Sequence, residues 1–536
     1  MVEPMLVALV ASLSLLVLAA PGGCEEPAKP AAYVPFDGAR STWHDGFERF
    51  DYLMDGATMG IAPFPAPEGE GFGIGAPPAG GRRCAVICPK QPAPGNPWSW
   101  RGCYWDHQPQ TEIALLKRGF HIAYISADAT LKPDRCWDTW YAFLTEKHGL
   151  SKKPCFIGMS RGGEYGLTWA TAHPTQVSAV YADNPGGNDE IFRRLPELAR
   201  QDVPLLLVCG TIDPLLPRFA LPFESLYQHF GGRVSLMLKE GAGHHPHSLT
   251  DPTPLADFLT RSAQAAPPAT PDFVAGRQFA RASYYSLDSA CSYSQENGCY
   301  LARRGPAFSP CYDRYDLPLG FDVPVTILAP QKEAARRPWV LRAGFVDRNA
   351  KVDQALLAKG FHIVVGPVGY NADGPNHAEW DKLYAYLTEH GFSKTPVLEG
   401  SGGAAGAVYA WAIENPGKVS CIYAENPILH AADVKAQPLD NLEPLAKAGV
   451  PVLHLCGSQD PALEGQTRLA ETRYRALKGD MKVILQEGDG HASFTPRNTQ
   501  PVLDFIHSHQ KARPESAAST AGTPRPQDHR AGSGGS

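Results

Sequence analysis

Runs of basic residues are absent from this sequence, and acidic residues outnumber basic ones by 55 to 49, for a formal net charge of -6. A protein that binds nucleic acid through electrostatic contacts presents a basic patch, so the sequence predicts no nucleic-acid partner. Long apolar runs are equally scarce. The longest extends from Met5 to Ala20, which is shorter than the roughly 20 residues that a membrane-spanning helix needs. Membrane contact is therefore expected only through an N-terminal anchor.

The apolar run near the N-terminus is typical of a secretory signal. Small residues and Cys24 follow it, although Glu3 stands where a signal usually has a basic residue. Simple cleavage, lipidation at Cys24 and a retained anchor all remain open. Residues 1–24 are interpreted as a signal peptide or lipoprotein-type leader, and the protein is expected to be exported to the periplasm or the extracellular space.

A zinc-binding pattern of cysteines or carboxylates is also missing. His244, His245 and His247 lie close together in sequence, but no complementary spacing completes a zinc motif, so neither a metal nor another cofactor is predicted. Several of the 12 cysteines lie in apolar strand-like runs, where small buried thiols are expected. Cys291 and Cys299 lie in a turn-rich segment instead, and a disulfide between them is expected in an exported protein.

The sequence does contain an internal duplication. Pro97–Arg101 recurs as Pro338–Arg342, and Cys209–Pro214 recurs as Cys456–Pro461. A repeat with so long a period indicates two whole domains and not a solenoid.

Composition marks the domain boundaries. Residues 40–262 are predicted to form a first domain and residues 272–510 a second, joined by a Pro- and Ala-rich linker over residues 263–271. Residues 511–536 are rich in Pro, Ser and Gly and are predicted to form a disordered tail. Strand-like runs alternate with helical stretches in each domain, which favours an α/β fold with a mostly parallel sheet covered by helices on both faces.

The segment Gly158–Gly162 carries the strongest catalytic signal. It has the form Gly-x-Ser-x-Gly, with Ser160 at its centre, between a strand-like run and a helical stretch. A serine at a sharp strand-to-helix turn leaves no room for large side chains two residues away on either side. Ser160 is therefore predicted to be a nucleophile.

An acid and a base follow this serine. Asp213 lies in the turn after the apolar run 203–210, and His244 follows the next strand-like run. Parallel strands bring the residues at their carboxyl ends to one edge of the sheet. There a histidine can take the serine proton, and a carboxylate can fix the tautomer of the histidine. Asp183, which also follows a strand-like run, remains an alternative acid.

In the order Ser, Asp, His and in the turn around Ser160, the sequence resembles the α/β-hydrolase superfamily, in particular its esterase-like and prolyl-oligopeptidase-like members. The resemblance implies two tandem α/β-hydrolase-like domains and an oxyanion hole of backbone N–H groups. By position, the donors would be Arg161, directly after the serine, and the stretch Arg101 to Gly102 after an earlier strand. No His-Gly-Gly-Gly loop is present to supply the second donor.

The second domain keeps only part of this set. A gapless alignment of the two copies places Gly402 opposite Ser160, so the second copy is predicted to lack the nucleophile while keeping Asp460 and His491. A shifted alignment would match Ser401 with Ser160 instead, and that alternative remains open.

Together, the resemblance and the residues predict an exported serine hydrolase that cleaves a carboxylic ester with a small or carbohydrate-linked acyl group, through an acyl-enzyme on Ser160. The expected partner is accordingly a small-molecule or carbohydrate ester. The alternatives are a serine peptidase of prolyl-oligopeptidase type and a non-catalytic binding protein built from hydrolase domains. Five tryptophans are open to two interpretations, a stacking surface for substrate or part of the core: Trp98, Trp100, Trp105, Trp137 and Trp140.

Overall fold

The computed structural model describes residues 32–60, 62–63, 81–126, 133–264, 269–285, 291–321, 324–344, 350–366, 370–371, 374–375, 377–431, 437–492 and 496–512. The predicted leader, residues 265–268 of the predicted linker and residues 513–536 of the predicted tail lie outside these ranges. Within them, no helix has both the length and the apolar character that crossing a bilayer requires.

Strands and helices alternate along the described chain. The strands are β1 (Ala39–Trp43), β2 (Phe47–Asp55), β3 (Gly81–Cys88), β4 (Trp98–Arg101), β5 (His121–Ile125), β6 (Cys155–Met159), β7 (Ala179–Asp183), β8 (Leu205–Gly210), β9 (Val234–Lys239), β10 (Ala280–Tyr284), β11 (Ser292–Glu296), β12 (Cys299–Arg304), β13 (Tyr312–Leu317), β14 (Val325–Ala329), β15 (Trp339–Ala343), β16 (His362–Val365), β17 (Tyr370–Asn371), β18 (Gly374–Pro375), β19 (Val397–Ser401), β20 (Cys421–Glu425), β21 (Val452–Gly457) and β22 (Met481–Gln486). The α-helices are α1 (Gln110–Lys117), α2 (Arg135–Ala142), α3 (Arg161–Ala172), α4 (Asp189–Arg200), α5 (Leu221–His229), α6 (Thr253–Gln264), α7 (Ala350–Ala358), α8 (His377–Glu389), α9 (Ala404–Glu414), α10 (Glu443–Lys447), α11 (Leu469–Ala476) and α12 (Gln500–Ala512).

Two large sheets result. The first has the order β1-β2-β3-β5-β4-β6-β7-β8-β9-β12-β11, and the second β10-β13-β14-β16-β15-β19-β20-β21-β22. Each sheet begins with three strands that pair antiparallel and continues with a run of parallel strands. In the order of the sheet, the parallel run extends from β5 to β9 in the first sheet and from β16 to β22 in the second. The parallel strands are short, apolar and mostly buried, as strands covered on both faces are. The predicted parallel sheet is therefore the centre of each unit, with antiparallel strands at the flanks.

Side chains alternate between the two faces of the first sheet. In β3, Cys84 and Val86 pack in a layer with helices α2 to α5, whereas Ala85 and Ile87 pack in a second layer with α1 and α6. Helices thus cover both faces of this sheet, and the fold is of the α/β class.

The tryptophans of the first unit lie inside the first of these layers. Trp98, Trp100, Trp137 and Trp140 are each at most 1 % exposed, and the rings of Trp100 and Trp137 stack with centroids 4.9 Å apart. The interpretation of these four residues as a stacking surface for substrate is therefore wrong, because their rings fill the core.

A hairpin from beyond the predicted linker completes the first sheet. β11 and β12 belong to the predicted second domain, residues 272–510, yet β12 pairs antiparallel with β9, where Leu301 lies opposite Lys239. Leu301 is fully buried in the core layer of α1 and α6. The hairpin covers the free edge of β9, which would otherwise expose unpaired backbone groups. The predicted boundary is therefore wrong for this segment.

The same hairpin separates the two cysteines expected to form a disulfide. Cys299 pairs with Glu296 beside the turn, whereas Cys291 precedes Ser292 at the opposite end. The four residue steps along β11 alone span roughly 13 Å, well beyond the Cα separation of about 7 Å that a disulfide allows. The expected disulfide is wrong, and both thiols are free.

Candidate active site

Ser160 lies in the sharp turn between β6 and α3. Its backbone has φ 53° and ψ -118°, a conformation that non-glycine residues rarely adopt and that the surrounding structure must enforce. The Ser160 N–H donates to the Asp183 carbonyl at 2.8 Å, which holds the turn against β7. The serine is thus placed at the carboxyl edge of the parallel strands.

Glycines allow the elements around this turn to meet. A Cβ on Gly158 would lie 2.3 Å from the Gly162 carbonyl oxygen, and a Cβ on Gly102 would lie 2.4 Å from the same atom. Neither separation is possible for real atoms. The three glycines therefore let β4, β6 and α3 approach one another beneath Ser160.

The structure brings together the three residues predicted to act on a substrate. Ser160 Oγ lies 3.0 Å from His244 Nε2, and His244 Nδ1 lies 2.8 Å from Asp213 Oδ2. An ionised carboxylate only accepts hydrogen bonds, so the imidazole proton is on Nδ1 and Nε2 is left to accept the serine proton. Asp213 is held by a second bond, since its Oδ1 accepts the Leu215 N–H at 2.9 Å.

Asp183, the alternative acid, has a different place. Its buried carboxylate accepts the Ser248 N–H at 2.6 Å and lies 3.3 Å from His247 Nδ1. Burial by itself would raise the pKa of Asp183, but the hydrogen bond from His247 and the charge of Lys239 outweigh it and lower the pKa. Asp183 therefore fastens the loop that carries His244 and does not orient the His244 ring.

Asn184 is a positioning residue that the sequence analysis missed. Its Oδ1 accepts the Gly210 N–H at 3.0 Å, and its Nδ2 donates to the His244 carbonyl at 2.5 Å. One side chain thus ties the end of β8 to the histidine loop. In the second unit, Asn426 donates to the His491 carbonyl at 2.9 Å. The signal was present in the sequence as an Asn-Pro pair that follows a strand in both copies.

The predicted oxyanion donors divide into two groups. Arg161 is the first residue of α3, directly after Ser160, so its N–H lies in the first turn of that helix. The Gly102 N–H instead donates to the Ile157 carbonyl at 2.9 Å, and Arg101 is paired within the sheet with Tyr124 and Ile157. The predictions of Arg101 and Gly102 as donors are therefore wrong, because the backbone of both residues belongs to the sheet.

Tyr104 places a donor at the serine that the sequence analysis did not identify. It follows β4 with φ 57°, and its hydroxyl lies close enough to the Ser160 side chain for that serine to act on the Tyr104 pKa. Burial raises the pKa of the Tyr104 hydroxyl and Cys103 adds to the rise, while Arg161 and Ser160 oppose it. A hydroxyl that stays protonated is available to donate to an oxyanion at Ser160.

Further imidazoles surround His244. The ring centroids of His245 and His247 lie 5.1 and 5.0 Å from that of His244, and the ring of His107 lies 6.0 Å from that of His247. Desolvation lowers the pKa of His245, and the neighbouring His247 and His244 lower it further. Desolvation and His247 also lower the pKa of His107. Both shifts favour the neutral form of these two rings.

The second unit has a corresponding turn with glycine at its apex. Gly402 has φ 54°, close to the value of Ser160, and its N–H donates to the Glu425 carbonyl at 2.9 Å. Ser401 is the last residue of β19, the place that Met159 has in β6. The geometry therefore follows the gapless alignment, with Gly402 in the turn and Ser401 in the strand.

Acid and base remain paired in the second unit. His491 Nδ1 lies 3.1 Å from both carboxylate oxygens of Asp460. The interior beneath this turn differs from that of the first unit, because Glu399 in β19 lies near the buried Glu425. Burial and the neighbouring Glu399 raise the pKa of Glu425 well above its ordinary value.

Comparison with known proteins gives matches in structure only. No family model matches the chain, and no curated protein matches it in sequence. Among solved structures, the chain is similar to a monoacylglycerol lipase of Paleococcus ferrophilus, at 17 % identity over 34 % of this chain and 99 % of that chain, with a TM-score of 0.27. It is also similar to a ferulic acid esterase, at 15 % identity over 34 % and 92 % of the two chains, with a TM-score of 0.27. The Thermogutta terrifontis esterase Est2 matches at 14 % identity over 35 % and 89 %, with a TM-score of 0.29. These matches have the α/β-hydrolase fold, and no reaction or substrate follows from them for this chain.

The first prediction distinguishes the two carboxylates. Asp213→Asn is expected to slow labelling by an active-serine fluorophosphonate probe about 10⁴-fold, because an amide no longer fixes the His244 proton on Nδ1. Asp183→Asn is expected to lower the urea midpoint of unfolding, because the histidine loop loses its anchor. The labelling rate of the folded protein is to be measured for both variants. A larger loss of that rate in Asp183→Asn would show that the acid is Asp183.

The second prediction concerns the tyrosine at the serine. Tyr104→Phe keeps the ring but removes the hydroxyl, and we expect the labelling rate to fall about 10²-fold, the usual effect of losing one oxyanion donor. Tyr141→Phe is the matched control, since the Tyr141 hydroxyl donates to the Lys152 carbonyl and is not at the serine. Equal labelling rates of the two variants would exclude Tyr104 as a donor.

Proposed function

We propose that this chain is a serine hydrolase that cleaves a carboxylic ester with a small or carbohydrate-linked acyl group. The observation that carries the proposal is the continuous series of hydrogen bonds from Ser160 Oγ through His244 to the buried carboxylate of Asp213, with distances of 3.0 and 2.8 Å. This series activates a hydroxyl that is otherwise a poor nucleophile at neutral pH.

The reaction proceeds in two halves. His244 Nε2 takes the proton of Ser160 as Oγ attacks the ester carbonyl carbon, and the resulting oxyanion accepts hydrogen bonds from the Arg161 N–H and the Tyr104 hydroxyl. His244 then gives its proton to the departing alcohol, which leaves an acyl group on Ser160. In the second half, His244 deprotonates a water molecule that attacks the acyl carbon, and the carboxylic acid leaves as the serine regains its proton.

Two features support an ester over a peptide bond. The described residues form two large sheets and one two-stranded ribbon, with no propeller to restrict access to the site. The connection between β7 and β8 is short, and its helix α4 packs the buried side chains of Ile191, Leu195 and Leu198 onto the sheet. Because α4 belongs to the core layer, this connection adds no separate lid domain among the described residues, which suits an acyl group attached to a bulky carbohydrate.

The test is turnover of a panel of acetyl, butyryl, feruloyl and glucuronoyl esters by the purified protein, beside peptide substrates. We expect ester hydrolysis that Ser160→Ala lowers by about 10⁴-fold or more, with complete loss of fluorophosphonate labelling. Turnover that survives in Ser160→Ala would end the assignment. Cleavage of the peptides alone would identify a peptidase, and absence of both turnover and labelling would indicate a binding protein.

The second unit is proposed to be an inactive copy that arose by tandem duplication. Two observations support the duplication. The parallel strands have the same order as in the first unit, and sequence motifs are repeated between the two units. The glycine in its turn supports the inactivity, because Asp460 and His491 without a nucleophile can orient water or a ligand but cannot form an acyl-enzyme.

This proposal makes a prediction for the full chain. Ser401→Ala is expected to leave ester turnover and the extent of fluorophosphonate labelling unchanged, because Ser401 lies in a strand and not in the turn. The measurement is one labelling gel with wild-type protein, Ser401→Ala, Ser160→Ala and the double variant. Residual labelling in Ser160→Ala that disappears when Ser401→Ala is added would reveal a second working site.

We also propose that the protein is exported, either released or attached through its N-terminus. The support is the apolar run of residues 5–20 followed by small residues and Cys24.

A further inference from the structure

Two imidazoles beside the proposed base His244, those of His245 and His247, take no part in the reaction described above, and the three rings form a cluster. Each of His244, His245 and His247 offers one ring nitrogen, and these atoms all lie within 4.8 Å of one another. We propose that this histidine cluster binds a transition-metal ion such as Zn²⁺, and that the bound ion inhibits the hydrolase by occupying the His244 nitrogen that serves Ser160. The inhibition rests on the proposed function, whereas the binding does not.

Two of the three imidazoles already have a carboxylate hydrogen-bonded to one ring nitrogen, as metal-binding histidines usually do. His247 Nδ1 lies 3.3 Å from Asp183 Oδ1, and His244 Nδ1 lies 2.8 Å from Asp213 Oδ2. Each carboxylate only accepts hydrogen bonds, so the proton of each ring is on Nδ1 and the lone pair is on Nε2. A histidine whose second nitrogen donates to a carboxylate is the usual arrangement around a protein-bound metal, where the carboxylate fixes the ring and raises its basicity.

The positions of the rings also suit one ion. The centroids of the three rings lie 4.7 to 5.1 Å apart, with the planes inclined at 74° to 83° to one another. Zinc binds imidazole nitrogen at about 2.0–2.1 Å in a tetrahedral geometry, which places two such nitrogens roughly 3.4 Å apart. The nitrogens, which lie within 4.8 Å of one another, need to move closer, and the exposed side chain of His245 can rotate to do so while His247 stays buried. The fourth position is open to water or to Ser160 Oγ.

Ligand chemistry and charge determine which ions this cluster takes. Neutral imidazoles favour Zn²⁺, Cu²⁺ and Ni²⁺, whereas Mg²⁺ and Ca²⁺ prefer oxygen ligands. The buried carboxylates of Asp183 and Asp213 supply negative charge directly behind two of the rings. The proposed ion is an inhibitor and not a cofactor, because its bond to His244 Nε2 removes the acceptor that the Ser160 proton needs.

The experiment uses the full chain, freed of metal with EDTA. Added ZnCl₂ is expected to lower both ester turnover and fluorophosphonate labelling, MgCl₂ to leave both unchanged, and renewed EDTA to restore both. Binding is measured separately by the visible absorption of tetrahedral Co²⁺, which does not depend on activity. Absence of this absorption with labelling intact would overturn the proposal and leave the proposed function standing. Histidine-dependent Co²⁺ binding without any turnover would support the site and count against the function.

Variants assign the effect to this cluster. His245→Gln removes an exposed ligand. The loss of even a residue that only hydrogen-bonds to a ligand lowers metal affinity about 10–100-fold. We therefore expect the Zn²⁺ concentration that inhibits this variant, judged against its own metal-free rate, to rise at least about tenfold. Two variants are the controls. His229→Gln changes an exposed histidine in α5, and Cys291→Ser removes an exposed thiol. Both should remain as sensitive to Zn²⁺ as the wild type. Unchanged sensitivity in His245→Gln, or lost sensitivity in Cys291→Ser, would overturn the proposal.

Discussion

The arrangement at the carboxyl edge of the first sheet depends on one buried carboxylate, that of Asp183. A charge with no exposure to water is tolerated only where donors surround it. Here the donors are the Tyr181 hydroxyl, the Ser248 N–H and the side chains of His247 and Lys239. Two of these donors, Ser248 and His247, belong to the loop that carries His244. Their bonds to Asp183 hold this loop against the ends of the strands. Together with the bond from Asn184 to the His244 carbonyl, these contacts hold His244 beside Ser160.

The second unit has a carboxyl group at the same position but lacks the lysine that corresponds to Lys239. Glu425 occupies the strand end that Asp183 has in the first unit, but Gln486 ends β22 where Lys239 ends β9. Glu399 adds a further carboxyl group to the same interior. Arg342 is the cation of this interior, and it pairs with Asp353 and lies 3.7 Å from Glu399. Because this one cation faces three carboxyl groups, the protonated form of Glu425 is favoured. The pairing of His491 with Asp460 survives, so the strands and their order preserve this geometry even where the interior chemistry has changed.

Residue patterns in the sequence predict the centre of each unit well. Apolar runs locate the parallel strands, and the Gly-x-Ser-x-Gly turn, with an acid and a histidine after later strands, identifies Ser160, Asp213 and His244, which the structure brings into contact. The flanking hairpin was not predicted because β11 and β12 are polar and half-exposed, so no apolar run marks them. Gly102 failed as a donor because sequence does not show which way an N–H points in a parallel ladder. The position of the Tyr104 hydroxyl was not predicted because it depends on a positive φ at a non-glycine residue, which sequence patterns rarely reveal.

The path of the chain between the two sheets constrains how this protein can evolve. The chain enters the second sheet with β10, returns to the first with the hairpin β11–β12, and goes back to the second with β13. The strand that leads to His244, β9, therefore has its outer edge covered by residues that lie between two strands of the other unit. A deletion of the second half would remove this cover and expose an edge prone to aggregation. The segment predicted as the first domain, residues 40–262, therefore lacks two strands of its own sheet, and the chain cannot be divided at the linker without leaving β9 as an edge strand.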